Sequence, residues 1–326
     1  MSNGLSSTDI LSILLLVAIM VTAFIGNILV IYATARSVSL RSYTNLLILN
    51  LSISDCMITC VNLPLRICYF WGFDLARGPA SCKISMAVTI FVFTASNFNL
   101  FMITLDRFFG VLFPLRYRKN MSKNKLYSVI SLAWTLDAVV TIFPFFARGT
   151  KEITEPVNDD FICLFSTVFR PFYVVGLELL TLAIPWTVMV IMYVFILRAA
   201  LRSARSKMRA TTLSSLSEQD ANDASHEKKV QELRVTKMIL VILSIYSITM
   251  VPIGLLDLVN TFAGESLISG LPIKIALFLS YLNPATNPPI YAMSDPKYRS
   301  MFWTALTKDF FCKKKSQEDF EPAHIT

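Results

Sequence analysis

The chain has 326 residues, 54% of them hydrophobic and 16% charged, with a mean hydropathy of +0.57. That balance excludes a soluble domain, whose surface must be wetted, and leaves a membrane as the natural solvent. The formal net charge of +8 does not point to nucleic acid, because the basic residues fall between apolar runs instead of on one polar face.

A bilayer core of roughly 30 Å needs about 20 apolar helical residues to cross it. Seven charge-poor runs of that order follow one another: 10–35, 43–70, 84–113, 126–147, 172–197, 238–262 and 275–293. They are continuously apolar and lack the alternation of a barrel strand, so the fold class is an all-α membrane protein, a seven-transmembrane helix bundle. Residues 1–9 form a tail too short to fold alone. The first run has no basic region before it and reads as a signal anchor. Between the runs, 107–125, 198–237 and 297–315 are basic and 151–160 is mainly acidic, which puts the N-terminus outside and the C-terminus inside a multi-pass protein of the plasma membrane. The polar stretch at about 202–232 reads as a flexible cytoplasmic loop within the 10–293 domain. Beyond it, in the cytoplasmic segment 294–326, Tyr298, Met301, Phe302, Ala305, Leu306 and Phe310 recur at helical spacing opposite Lys297, Arg299, Thr304 and Lys308. This predicts a short amphipathic eighth helix on the inner leaflet, held by membrane lipids.

Six cysteines are present. With this topology only Cys82 and Cys163 share an oxidising compartment and a loop location, which favours a disulfide between them. Cys56, Cys60 and Cys68 read as packing residues in the second run. Cys312, beside Lys313, Lys314 and Lys315, is a palmitoylation site or a free thiol. No CxxC pair or histidine cluster suggests a metal centre; His226 and His324 lie in polar cytoplasmic segments.

Polar residues inside the runs carry the chemistry, since intramembrane charge is costly and is kept for pairing or function. Asp55 lies mid-span, and Asn27, Ser96, Asn283 and Asn287 on other runs can surround it with oxygen and amide groups. That set suits a hydrated monovalent cation or, alternatively, a hydrogen-bonded clamp without an ion. Arg107 follows Asp106 at the inner end of the third run, and Glu232 begins the sixth helix as a second carboxylate partner. Such an arginine forms a bistable latch or merely snorkels to the headgroups. Pro185, Pro252 and Pro288 supply hinges in runs five, six and seven.

Taken in order, these residues resemble the rhodopsin-like (class A) G-protein-coupled receptors over essentially the whole chain. Gly26-Asn27 is similar to the first-helix GN motif, and Leu49 through Asp55 to LNLAxxD. Cys82 resembles the cysteine at the top of helix three, and Asp106-Arg107-Phe108 the DRY motif. Trp134, Pro185 and Tyr193 match single helix markers, and Asn287 through Tyr291 reads NPxxY. The resemblance implies a receptor without catalytic chemistry of its own, which passes an extracellular ligand signal to a heterotrimeric G protein by opening its cytoplasmic face. It implies a sodium pocket at Asp55, Ser96, Asn283 and Asn287, supported by Asn27, and an Arg107 that contacts the G protein after release from Asp106 and Glu232. Tyr193 and Tyr291 then stabilise the open face.

The departures are informative. Met250 stands where the family has the tryptophan of CWxP, two residues before Pro252, and Thr89 where monoamine receptors carry aspartate. Asp295 through Arg299 looks like a stretch of invertebrate opsins, yet Tyr281 occupies the place of the retinal lysine, so no Schiff base is expected. The outer halves of the runs offer a ligand site of Arg66, Thr89, Phe93, Glu178, Thr181, Asp257 and Tyr281. There the carboxylates hold a cation, Arg66 an anion and the rings form walls, unless the charges pair with one another or face the headgroups. Two other functions fit in part. One is an opsin relative without covalent retinal; the other is a seven-helix transporter or channel using the buried charges Asp55, Asp137, Glu178 and Asp257, although no internal repeat is seen.

Overall fold

The computed structural model describes residues 7–71, 73, 79–152, 165–211, 219–263 and 271–309. They are almost entirely helical, the one β feature among them being an isolated bridge between Thr150 and Phe169. Helix α1 spans Ser7–Arg36. Helix α2 runs Tyr43–Met57, passes through a π turn at Ile58–Asn62 and continues as Leu63–Trp71; α3 is Pro79–Leu112 and α4 is Lys123–Phe146. Helix α5 comprises Pro171–Leu177, a π turn at Glu178–Ala183 and Ile184–Thr211. The bundle closes with α6 at Gln219–Ala263 and α7 at Leu271–Ser294. A short helix, Pro114–Asn120, links α3 to α4, and α8, Pro296–Thr304, follows α7.

Sequence sets several of these boundaries. The Ser42 hydroxyl accepts from the Asn45 amide (3.3 Å) to start α2, Ser122 accepts from Lys125 (3.4 Å) to start α4, and the Asp295 carboxylate accepts from Lys297 (2.9 Å) to start α8. Pro114, Pro171 and Pro296 open their helices, where a missing amide proton costs nothing. Both π turns sit just ahead of a proline, Pro64 and Pro185, whose ring clashes with the carbonyl four residues back unless the helix widens there.

Helix α3 is the central post, packed against α2, α4 and α5, while α7 is wedged between α1 and α6. Side chains such as Leu14, Leu132, Leu180 and Ile248 point outward, more than half exposed, and form the apolar belt that lipid covers. Six of the described helices are long and apolar enough to cross a membrane, against the seven expected. The one that falls short is α7, in which Lys274, Asn283, Asn287 and three internal prolines interrupt the apolar run, although it is 24 residues long and sits inside the bundle. Gly26 allows this packing. A Cβ built there would lie 2.8 Å from Pro288 Cγ, so α1 and α7 meet at van der Waals distance only because position 26 has no side chain.

The stretch read as a loop at 202–232 differs from expectation. Helix α5 continues to Thr211 and α6 begins at Gln219, so most of the stretch is helical. It is rich in Ala, Arg, Lys, Gln and Glu, strong helix formers whose polarity excludes burial but not helicity.

Candidate functional site

A cavity opens near the Cys82 end of the bundle. Arg66, Thr89, Phe93, Glu178, Thr181, Asp257 and Tyr281 all line it, so the seven predicted ligand residues are brought together, with Asn97, Met250 and Gly254 alongside. Arg66 Nε donates to the Tyr281 hydroxyl at 3.2 Å, and its guanidinium lies 5.9 Å from the centre of the Tyr69 ring. Arg66 forms no ion pair with Glu178 or Asp257 within 4 Å; the mutual pairing weighed as an alternative is not the arrangement here. Phe93 and Tyr281 pack with centroids 5.9 Å apart. The Thr89 hydroxyl is already engaged: it donates to Ser85 O and accepts from Asn62 Nδ2, both at 2.7 Å. Cys82 is buried and disulfide-bonded; Cys163 lies outside the described residues.

The cavity floor leads into the bundle. Pro185 has no amide proton for the carbonyl of Thr181 four residues earlier, and Asn97 Nδ2 donates to that carbonyl at 3.0 Å. The Asn97 carbonyl oxygen in turn accepts from the Tyr246 hydroxyl. One buried asparagine therefore ties α3 to both α5 and α6. Trp186 Nε1 adds a second α5–α6 link by donating to Ser247 Oγ at 2.7 Å. Met250, one turn from Tyr246 and two residues before Pro252, faces the cavity.

Deeper still, Asp55 is 1% exposed. Its two oxygens accept from Ser96 Oγ (3.3 Å) and Asn287 Nδ2 (2.9 Å). Asn283 is buried one turn before Asn287 but makes no side-chain hydrogen bond to Asp55. Asn27 reaches Pro284 O (3.0 Å) and Ala23 O (2.9 Å) instead, so it braces the α7 backbone rather than touching the carboxylate. Polar contacts continue sideways through Ser54 and Asn99 to Asn50, which accepts from Trp134 Nε1 at 3.2 Å.

At the opposite end, Asp106 is saturated with donors. It accepts from Arg107 Nε (3.0 Å) and Nη2 (2.6 Å), from Thr44 Oγ1 (2.6 Å) and from the Tyr117 hydroxyl; Arg107 Nη2 also donates to Thr44. Burial first, and then the neighbouring Asp106 carboxylate, push the Tyr117 phenol above its ordinary range, so it stays a proton donor at physiological pH. Tyr193 donates to the Thr236 carbonyl on α6, and Tyr291 is buried against Tyr298, ring centres 5.8 Å apart. Glu232 lies on α6, its side chain outside the described set; Cys312 also lies outside the described residues. Sequence reasoning missed Thr44, Asn97, Tyr117 and Tyr246. Asn97 carried a signal, as an amide in an apolar run, whereas Tyr117 carried none, because only the fold returns Pro114–Asn120 to Asp106.

A helical membrane bundle with a charged cavity near one end and an arginine held by a carboxylate at the other is built as a membrane receptor. The family model described as 7 transmembrane receptor (rhodopsin family) matches residues 26–291, and the chain belongs to that family. It is 27% identical to the human alpha-1A adrenergic receptor over 322 residues, covering 90% of this chain and 67% of that protein. Over 300 residues it is 28% identical to a Gq-coupled rhodopsin of Mizuhopecten yessoensis, covering 90% of this chain and 59% of that protein. Similarity to mouse trace amine-associated receptor 4 is 26% over 324 residues, 95% of this chain and 89% of that one. The chain is thus a multi-pass G-protein-coupled receptor that answers an extracellular ligand.

Proposed function

We propose that the chain sits in the plasma membrane with its N-terminus outside, takes its ligand in the cavity near Cys82, and uses that ligand to swing α6 about Pro252 and free Arg107 for a heterotrimeric G protein. The observation that carries this reading is the Asn97 link, which joins the cavity floor to α5 at Thr181 and to α6 at Tyr246, one turn from Met250. A ligand pressing on Met250 or Thr181 then changes the relative energy of two α6 positions, which is all that a switch requires. Glu232 lies 20 residues before Pro252, roughly 30 Å along the helix at ~1.5 Å per residue, so a tilt of about 10° displaces that end by roughly 5 Å. That movement is enough to part an ion pair.

In the closed arrangement Arg107 is spent on Asp106 and Thr44, and we assign Glu232 as its second partner. Opening releases the guanidinium to a G-protein acceptor, while Tyr193 and Tyr291 fill the space left behind. Asp55 and Ser96 offer oxygen ligands that suit a monovalent cation such as sodium, Asn287 holds the Asp55 carboxylate with its amide N–H, and Asn283, one turn away, would turn its own oxygen to the ion. The ion when bound supplies the counter-charge that the closed shape needs. A bridge between Cys82 and Cys163 pins the second outer loop over the cavity, and palmitate on Cys312 holds α8 at the inner leaflet. The protein acts without catalysis of its own and without a retinal Schiff base, since Tyr281 stands in the lysine place and bonds Arg66.

The test is second-messenger output in cells at matched surface expression. Arg107→Ala should abolish coupling with ligand binding intact, and Glu232→Ala should raise basal output. Full signalling by Arg107→Ala, together with unchanged basal output in Glu232→Ala, overturns the assignment.

A further inference from the structure

Three ionisable side chains line the cavity, and all are buried: Arg66 is 3% exposed, Glu178 6% and Asp257 3%. Their placement divides the cavity into two walls. The Glu178 carboxylate lies against α6 at Gly254, where a Cβ would fall 2.8 Å from Oε2, and Asp257 follows Gly254 by one turn, so both acids belong to the α5–α6 wall. Arg66 belongs to the facing wall of α2 and α7, through its 3.2 Å contact with the Tyr281 hydroxyl. A phenol and the face of Tyr69 orient the guanidinium without neutralising it. Buried ionisable groups of opposite type on opposite walls, with no ion pair between them, lack a charged partner in the empty receptor, and a molecule that carries the complementary pattern supplies one to each.

We propose that the ligand is bipolar: a cationic group bearing N–H donors bridges Glu178 and Asp257, an anionic group meets Arg66, and an apolar or aromatic middle lies against Phe93 and Met250. This rests on the cavity being the ligand site. The cation needs N–H donors because two carboxylates present several lone pairs that a quaternary ammonium cannot satisfy. A guanidinium or primary ammonium can donate to both acids at once. The anion is a carboxylate or similar planar acid, which suits the nitrogens of Arg66 not turned toward Tyr281. Gly254 leaves room beside the cationic end, because a Cβ there would fall 2.3 Å from Leu182 Cδ2 and 2.8 Å from Glu178 Oε2.

The experiment follows thermal unfolding of the full-length receptor in lipid nanodiscs against defined probes. The bipolar probes are 4-guanidinobutyrate, 4-aminobutyrate, 6-aminohexanoate and phenylalanine; the matched monopoles are butylguanidine, butylamine and butyrate. At least one bipolar probe should raise the midpoint at a concentration about tenfold or more below its monopole, the scale of one desolvated charge contact. Arg66→Gln should remove that advantage while leaving butylguanidine unchanged, and Glu178→Gln or Asp257→Asn should weaken every cationic probe. Arg66→Lys keeps the charge and guards against a misfolded glutamine variant. Equal potency of bipolar and monopolar cations, with loss of both in Glu178→Gln, overturns the bipolar ligand and leaves the cavity as the site. Binding untouched by all three substitutions overturns both, and no shift with any probe overturns the bipolar ligand.

Discussion

Asp106 receives four hydrogen bonds from three residues, and only its neighbour Arg107 is adjacent in sequence. The proposed latch is therefore less an isolated ion pair, which at an exposed surface is worth only about 0 to 1 kcal/mol, than a half-buried cluster whose members hold one another in place. Thr44 and Tyr117 decide where the carboxylate points, and so where the guanidinium waits. Removing the Tyr117 hydroxyl leaves Asp106 a donor short in the closed state. Tyr117→Phe should therefore raise basal G-protein activation by roughly threefold to tenfold, corresponding to about 0.7 to 1.4 kcal/mol of lost closed-state stability. Nucleotide exchange measured without agonist checks this, and an unchanged basal rate would show that the phenol is a bystander.

At the scale of the helix, what a proline takes away decides where a polar neighbour goes. Pro185 leaves the Thr181 carbonyl without its helical donor, Asn97 supplies one, and Tyr246 completes the amide. Tyr246→Phe leaves the buried Asn97 oxygen unpaired, which costs about 1 to 3 kcal/mol and should lower the unfolding midpoint by several degrees. Asn97→Ile alone strands both the Thr181 carbonyl and the Tyr246 hydroxyl, whereas Asn97→Ile with Tyr246→Phe strands the Thr181 carbonyl only, so the double variant should lose less than the sum of the singles. A double variant as unstable as the sum of the singles would refute the clamp. The α1–α7 seam makes a parallel case. Gly26→Ala places a methyl 2.8 Å from Pro288 and should destabilise the bundle by about 1 to 3 kcal/mol, whereas the same change at Gly110, which has no neighbour within 4 Å, should be close to neutral.

The order of the long helices follows from the charge-poor runs, because lipid leaves the backbone no alternative to helices there, although α7 is less apolar than the other six. The site was legible where membrane burial makes a polar residue costly: Asp55, Arg66, Glu178 and Asp257 are conspicuous in apolar runs, and the structure brings the last three to one cavity. The partners of Asn97 were not legible. Tyr246 and Asn97 are 149 positions apart, and nothing in either run names the other. Asn27, read as a neighbour of Asp55, proves to brace the Pro284 carbonyl, a difference set by helix rotation that periodicity does not resolve. The segment at 202–232 misled because polarity and helix propensity are independent properties.

For the molecule as a whole, the proposed switch has one closed arrangement, maintained at Asp55 and at Asp106 and abandoned as a unit. Sodium should lower agonist affinity and suppress basal activity, and Asp55→Asn should remove both effects; a sodium response that survives the substitution would count against the pocket. The most direct measurement of the central claim needs no ligand. Guanine-nucleotide exchange on a heterotrimeric G protein is compared for the unmodified receptor, Asp106→Asn, and Asp106→Asn combined with Arg107→Ala, all purified in nanodiscs. Releasing the latch should make Asp106→Asn several-fold faster than the parent, by linkage to the open state, and removing Arg107 from that background should return exchange to the rate of the G protein alone. An Asp106→Asn receptor no faster than the parent, or a double variant that still activates, would contradict the account.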